Sequence, residues 1–376
     1  MSRNQVFKRL LLATRSHWDH PGVRAEVRDN FNKVLMCQTS LLGAEVYASA
    51  TDMKIVPHTC KSRMCPSCGY RNTLLWQREL WALLPDIAYA GIVFTMPDVL
   101  WPLFEQNRHL LRDLPALGAA AVQQWAKVKF GVEVLVIVVQ HTFGHHLNFY
   151  PHLHLLVSAG GFDPLHGQWI SEIHLNKHAL MEMWKFAVIS YLRQALRAKI
   201  LYSELPPEEL KRIFQLQYER WWNVHIDHLH SKTHFLRYAG RYLRRPPLAL
   251  RRIIAVSDAE VRFWTKDTRT KKVLTSVWSP NELVGMLAKH VPSRYAHGVR
   301  YFGLLSPRGR RQSMDAVFMS LHQVRRPRPK RLSWAGSLVR YFQTNPLVDR
   351  RGQPLKWVGR LAGTSQHHLF KKNKGA

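Results

Sequence analysis

Two apolar runs constrain the fold more than anything else in the chain: residues 132–140 (VEVLVIVVQ) and 152–158 (HLHLLVS), joined by a short loop around Gly144. Both are rich in β-branched residues and nearly free of polar alternation, so they read as adjacent strands of one sheet covered on both faces. Residues 90–95 (AGIVFT), closed by Met96 and Pro97, read as another buried strand. Cover comes from segments with apolar spacing of three and four: 100–129, with a break at Pro115, then 173–202, 206–222 and 233–244. Pro246 and Pro247 stop the last of these. Beyond them, 252–257, 261–266 and 272–277 alternate like a small meander, and Ser279-Pro280 opens a helix to about His290. The mixture of strands and helices is read as an α+β fold. The 376 residues, 46% of them hydrophobic, suffice for a sizeable core. Three regions are expected: a small module over 1–85, a central domain over 86–278 and a basic region over 279–376. No repeat of solenoid length is present.

The charge balance points to a polyanionic partner. Fifty-five Lys and Arg face 25 Asp and Glu, a net +30, and nucleic acid is the commonest counterpart of such a surface. A ribosomal-type basic tail is disfavoured by 13 Trp and 16 Phe, which describe a packed protein. The apolar stretch at residues 10–13 is too short for a secretory signal, and no run of about 18 apolar residues occurs. A cytoplasmic, nucleoid-associated protein is expected.

Three of the four cysteines, Cys60, Cys65 and Cys68, fall within nine residues (CKSRMCPSC). Two thiolates separated by two residues can share one tetrahedral Zn²⁺ through a tight turn, which Pro66 and Gly69 suit. Clustering of this kind suggests Zn²⁺ ligation over disulfides. The fourth ligand is either Cys37 or His58.

His152 and His154 flank Leu153 on a strand, so both imidazoles face one side. Two neutral imidazoles on one face can hold a divalent ion with open positions for substrate. About one such pair is expected by chance among 21 histidines, and a second exists at His228 and His230. That pair lies in a polar stretch (HIDHLHSK) and reads as solvated or DNA-facing. The neighbouring strand offers His141 as third ligand, with Gln140 as a fallback. His145 and His146, in the intervening loop, read as polar or phosphate-contacting residues.

Tyr238 and Tyr242 stand four apart in HFLRYAGRYLRRPP, on one face of a helix. Arg237, Arg241, Arg244 and Arg245 surround them with charge suited to DNA phosphates. A tyrosine can attack a phosphodiester to give a 5′-phosphotyrosine and a free 3′-hydroxyl, preserving bond energy for rejoining. Because the phenol titrates near pH 10, a metal that polarises the phosphate is useful.

With these motifs the chain resembles the two-tyrosine HUH transposases of the insertion-sequence-ninety-one family, where U is a hydrophobic residue. The resemblance runs through HTCKSRMCPSCG, HTFGHHLNFYPHLHLLVSAGGF, LRYAGRYLRRPPLA and VRYFGLLSPR and covers most of the chain. It implies a zinc-binding N-terminal domain, a nuclease domain with a central antiparallel sheet flanked by helices, and rolling-circle movement through single-stranded DNA. His152 and His154 match the HUH pair, with Mg²⁺ or Mn²⁺ as their metal. Tyr238 and Tyr242 match the nucleophiles, His141 falls where the family has His or Gln, and Cys60, Cys65 and Cys68 match zinc-module cysteines. A further upstream cysteine pair usual in the family is missing from residues 47–53 (YASATDM), and Asn345-Pro346-Leu347 is not followed by a cysteine motif, so no C-terminal metal site is expected. Other readings are a replication-initiator or relaxase-type nickase with the same chemistry, and a non-enzymatic zinc-containing DNA-binding protein.

Overall fold

The computed structural model describes residues 3–242, 246–266, 270, 272–343 and 345–363, with only the backbone at 3, 4, 241, 242, 250 and 342. The chain divides into two compact units, each discontinuous in sequence: 1–76, 245–291 and 329–376 in one, 77–244 and 292–328 in the other. The architecture is α+β, with antiparallel sheets flanked by helices.

The second unit is built on a five-stranded antiparallel sheet. Its strands are β1 (Tyr89–Phe94), β2 (Leu135–Phe143), β3 (Phe149–Ser158), β4 (Val224–Leu229) and β5 (Val299–Gly303), in the order β5-β2-β3-β1-β4. The two apolar runs that dominate the sequence form the β2–β3 pair, with β3 at the centre.

Alternation along each strand gives the sheet two different faces. One carries Val136, Val138, Leu153, Leu155, Val157, Ile92 and Phe94, all buried in the main core. Helices Trp101–Gln106, Leu114–Phe130 and Lys177–Arg197 supply side chains to the same core. Trp184 stacks on Phe94 at 5.2 Å between ring centroids, and full burial of each such side chain contributes about 2–3 kcal/mol. Packing leaves no room at Gly118, where a Cβ would stand 2.6 Å from Leu153 Cδ1.

The opposite face bears Val139 and His141 on β2, His152 and His154 on β3, Gly91 and Val93 on β1, and His225 and Asp227 on β4, as the strand registers require. Helix Lys232–Tyr242 follows β4 and packs on β1 and β4. Its first turn is tied down by Lys232, whose buried ammonium donates to the carbonyls of Trp81 and Leu84 at 3.2 and 3.0 Å and pairs with Asp86.

In the first unit, strands Lys356–Leu361, Ala44–Ala48 and Met53–Pro57 form one antiparallel sheet. The expected meander is present as Ile253–Val256, Val261–Lys266 and Val273–Trp278. The helix expected after Ser279 runs Pro280–Lys289 and begins in a capping box between Ser279 and Glu282.

Two stretches differ from the sequence reading. The polar connection expected around residue 225 is the edge strand β4. Beyond the helix that opens it, the basic region over 279–376, for which no further elements were expected, holds strand β5, helices Pro307–Gln312, Met314–Ser320 and Trp334–Phe342, and strand Lys356–Leu361. Among the described residues, no helix is long and apolar enough to cross a membrane.

Candidate metal centres and catalytic cleft

Cys37 follows helix Ala25–Met36 as its C-cap, Cys60 lies in the loop beyond strand Met53–Pro57, and Cys65 and Cys68 bracket the start of helix Pro66–Leu83. These elements bring the four Sγ atoms within 4.8 Å of one another. The Cys37–Cys68, Cys60–Cys68 and Cys37–Cys65 separations are each 3.7 Å. A zinc ion holding four thiolates at about 2.3 Å sets neighbouring sulfurs roughly 3.8 Å apart, so the cluster has the dimensions of a tetrahedral Zn²⁺ site. Backbone N–H groups of Cys60 and Ser62 donate to Cys37 Sγ and Cys60 Sγ, both at 3.4 Å, which orients the sulfurs. Mutual hydrogen bonding within the cluster pushes the Cys68 thiol far below its ordinary range and those of Cys60 and Cys65 far above it, Cys37 being the leading partner in each case.

The cluster includes Cys37 and leaves out His58. His58 is engaged elsewhere, with Nδ1 at 3.1 Å from Leu42 O and Nε2 at 2.9 Å from Glu45 Oε1.

On the sheet of the second unit, His141 lies directly across from His152 in the β2–β3 register, and a bulge between His141 and Phe143 follows. One ligand nitrogen each from His141, His152 and His154 lies within 4.8 Å of the others. His152 Nε2 and His154 Nε2 are 3.1 Å apart. Two nitrogens bound to one ion at about 2.1 Å sit roughly 3.0–3.4 Å apart, so these residues fit a shared cation. His152 Nδ1 donates to Tyr150 O at 2.8 Å, which leaves the Nε2 lone pair for a metal. Burial pushes His152 down to about 4, against a weaker raising effect of the Tyr150 carbonyl, and holds His154 well below its usual value. Both rings are therefore neutral near pH 7, the form that ligates metal.

Beside His154 opens a cleft of about 540 Å³ lined by His154, Asp227, His228, Leu229, His234, Arg237 and Tyr238. The Tyr238 ring lies over Gly91: a Cβ built there would meet Cζ at 3.3 Å and Oη at 3.5 Å. A Cβ at position 91 would make the phenol give way by a few tenths of an ångström. Arg237 is exposed at the same cleft. Tyr242 closes helix Lys232–Tyr242, and its side chain and that of Arg241 lie outside the described residues, as do Arg244 and Arg245 altogether. His228 and His230 are exposed, in keeping with the solvated reading.

Asp227 was not singled out from the sequence. It is held by His225, whose Nε2 is 2.9 Å from Asp227 Oδ1. The i, i+2 spacing of the two in HIDHL would have placed them on one face had the segment been read as a strand.

Residues 7–96 match the family described as "Transposase zinc-binding domain", and residues 136–313 match "Putative transposase". The chain is 31% identical, over 86% of its length and 81% of the relative's, to the transposase for insertion sequence element IS801 of Pseudomonas savastanoi pv. phaseolicola. The chain belongs to the insertion-sequence-ninety-one family of transposases. A second relative, "Putative transposase y4qJ" of Sinorhizobium fredii (strain NBRC 101917 / NGR234), is 27% identical over 82% of the chain and 81% of its own length. No solved structure matches. This transposase is accordingly a DNA-processing, DNA-binding enzyme, and its first matched segment contains the whole Zn²⁺ cluster.

Proposed function

We propose that this transposase moves its element by a rolling-circle route, nicking one DNA strand and rejoining it through a 5′-phosphotyrosine. The observation that carries this reading is the shared cleft, in which a ring of the His141, His152, His154 triad and the phenol of Tyr238 line one cavity. His152 and His154, with His141, would hold Mg²⁺ or Mn²⁺, which when bound polarises the scissile phosphate and stabilises charge on the leaving oxygen.

The chain's own groups supply the rest. Tyr238 attacks phosphorus, the bond to the 3′ oxygen breaks, and the strand end stays bound to the enzyme by a phosphodiester of similar energy. Arg237 offers planar donors to the phosphate oxygens at the cleft. Gly91 and the buried Lys232 fix where the phenol stands. Tyr242 is proposed as the second nucleophile and Arg241, Arg244 and Arg245 as further phosphate contacts. The zinc module and the basic C-terminal region, 1–85 and 279–376, are proposed to recognise DNA.

The test is a single-stranded oligonucleotide bearing an element end. A covalent protein–DNA adduct is expected that requires Mg²⁺ or Mn²⁺ and vanishes in the Tyr238→Phe, Tyr242→Phe double variant. Survival of the adduct there would overturn the nucleophile assignment. His152→Ala should keep DNA binding and lose cleavage.

A further inference from the structure

The strand register puts one carboxylate beside the phenol. Ile137, Leu156, Gly91 and Asp227 form a single row across β2, β3, β1 and β4. Directly paired residues of antiparallel strands project to the same face, with Cβ positions about 4.5–5.5 Å apart. Tyr238 occupies the space above Gly91, with Oη 3.5 Å from where a Cβ would be. Of the two neighbours of Gly91 in that row, Leu156 is apolar and buried, while Asp227 lines the same cleft as Tyr238. Among the described residues it is the only carboxylate lining the cleft. Its Oδ1 is occupied by His225 Nε2 at 2.9 Å. That bond gives the carboxylate a partner on the edge strand, where Asp227 is half-buried.

A carboxylate facing a phosphate site needs a reason, since it repels the substrate. A phenol titrating near pH 10 offers one: only about one molecule in a thousand is ionised at pH 7, so attack needs somewhere for the proton to go. We propose that Asp227, oriented by His225, is the proton acceptor for Tyr238 during strand cleavage, a role that rests on Tyr238 being the nucleophile. As the Tyr238 Oη–phosphorus bond forms and the phosphorus–O3′ bond breaks, the phenol proton passes to Asp227, and the departing 3′ oxygen takes a proton from water. In rejoining, the 3′-hydroxyl attacks phosphorus, its proton returns to water, and Asp227 gives its proton back to the leaving phenolate. Positive charge from Arg237 at the same cleft offsets the repulsion between Asp227 and the DNA.

The experiment measures the rate of adduct formation on a single-stranded end oligonucleotide, alongside Mn²⁺ affinity and oligonucleotide affinity, in four variants. Asp227→Asn is expected to cleave about 100-fold slower or worse, with Mn²⁺ affinity unchanged and oligonucleotide affinity no lower than wild type. Asp227→Ala is expected to be accelerated by added formate, which a carboxylate serving only to hold β4 in place would not allow. Asp227→Glu should recover part of the rate. Tyr238→Phe separates the two levels of inference: if it still forms adduct at the wild-type rate, the nucleophile assignment falls. If it is inactive while Asp227→Asn cleaves at the wild-type rate, loses Mn²⁺, or is slow with no formate rescue of Asp227→Ala, the proton-acceptor role alone is overturned.

Discussion

Cys37 shows how one residue can decide a metal site. It lies 23 residues before its nearest partner in sequence, and spacing could not choose between it and His58. The fold favours Cys37, whose Sγ stands 3.7 Å from two other sulfurs, while His58 faces Glu45 and the Leu42 carbonyl. Structural zinc sites of this kind contribute roughly 10–16 kcal/mol, so losing one of four ligands should weaken zinc by about two powers of ten or more. Cys37→Ser is therefore expected to lose its one equivalent of zinc on mild chelation, as read by metal analysis, whereas His58→Ala should retain it. His152 gives a pH prediction of definite sign. Its folded value of about 4 lies below the ordinary 6.5, so between those two values the unfolded chain binds more protons than the folded one. Stability of the metal-free enzyme should fall as pH drops from about 6.5 to about 4 and change no further from this residue below that. The loss is at most about 3 kcal/mol, and burial of His154 acts in the same direction. Denaturant midpoints at pH 7 and pH 5 measure it, and His152→Gln should shrink the difference. The shared strand face of His152 and His154, the clustering of Cys60, Cys65 and Cys68 and the helical position of Tyr238 were legible in local spacing. Asp227 was not, because its meaning depends on a partner, Gly91, far away in the chain.

At the scale of elements, the site depends on a helix being allowed to come close to a sheet. Gly91 on β1 is the permissive point, with the Tyr238 ring 3.3 Å from the Cβ it lacks. Gly91→Ala asks the ring to yield by a few tenths of an ångström and should slow adduct formation by less than about tenfold. Gly91→Leu must displace it by an ångström or more, which costs about 100-fold, while Mn²⁺ affinity stays near wild type because His152 and His154 lie on β3. Lys232 holds the other end of the same arrangement. Replacing it with Met leaves the Trp81 and Leu84 carbonyls without its ammonium. A loss of about 2–6 kcal/mol is expected in urea unfolding, at about 1–3 kcal/mol for each of the two acceptors left unsatisfied. Strands β2 and β3, the covering helices and the meander could be read from the sequence because apolar period and length agree within each segment. β4 could not: only Val224, Ile226 and Leu229 of VHIDHL are apolar, and an edge strand with one exposed margin keeps its polar residues. β5 pairs with β2 from far down the chain, and Trp357 and Arg360 join the Ala44–Ala48 strand through Glu45. Pairings of such separation leave no trace in local periodicity.

The whole molecule carries 30 more positive than negative formal charges, which sets how it meets DNA irrespective of sequence. Each phosphate neutralised releases condensed counterions, and on single strands the slope of log K against log salt is about −0.7 per contact. Six or more contacts would give a slope of about −4 or steeper. Much of the basic charge lies outside the cleft beside His154, including the proline-punctuated stretch RRPRPKR at 325–331, in which Arg328 and Arg331 are exposed. Arg325 and Arg326 of that stretch are already paired with Asp315 and Asp86. If the exposed pair tracks the DNA backbone, Arg328→Gln with Arg331→Gln should make the slope shallower by about 1.4, two contacts at 0.7 each. Affinity should fall equally for end-derived and unrelated oligonucleotides, because phosphate contacts position the protein without reading bases. Adduct formation at saturating DNA should be unchanged, since neither residue lines the cleft that holds Tyr238. Titrations of both oligonucleotides between 50 and 200 mM salt (about the range over which such contacts dominate) distinguish this from a role in end recognition, for which only the end-derived oligonucleotide would lose affinity.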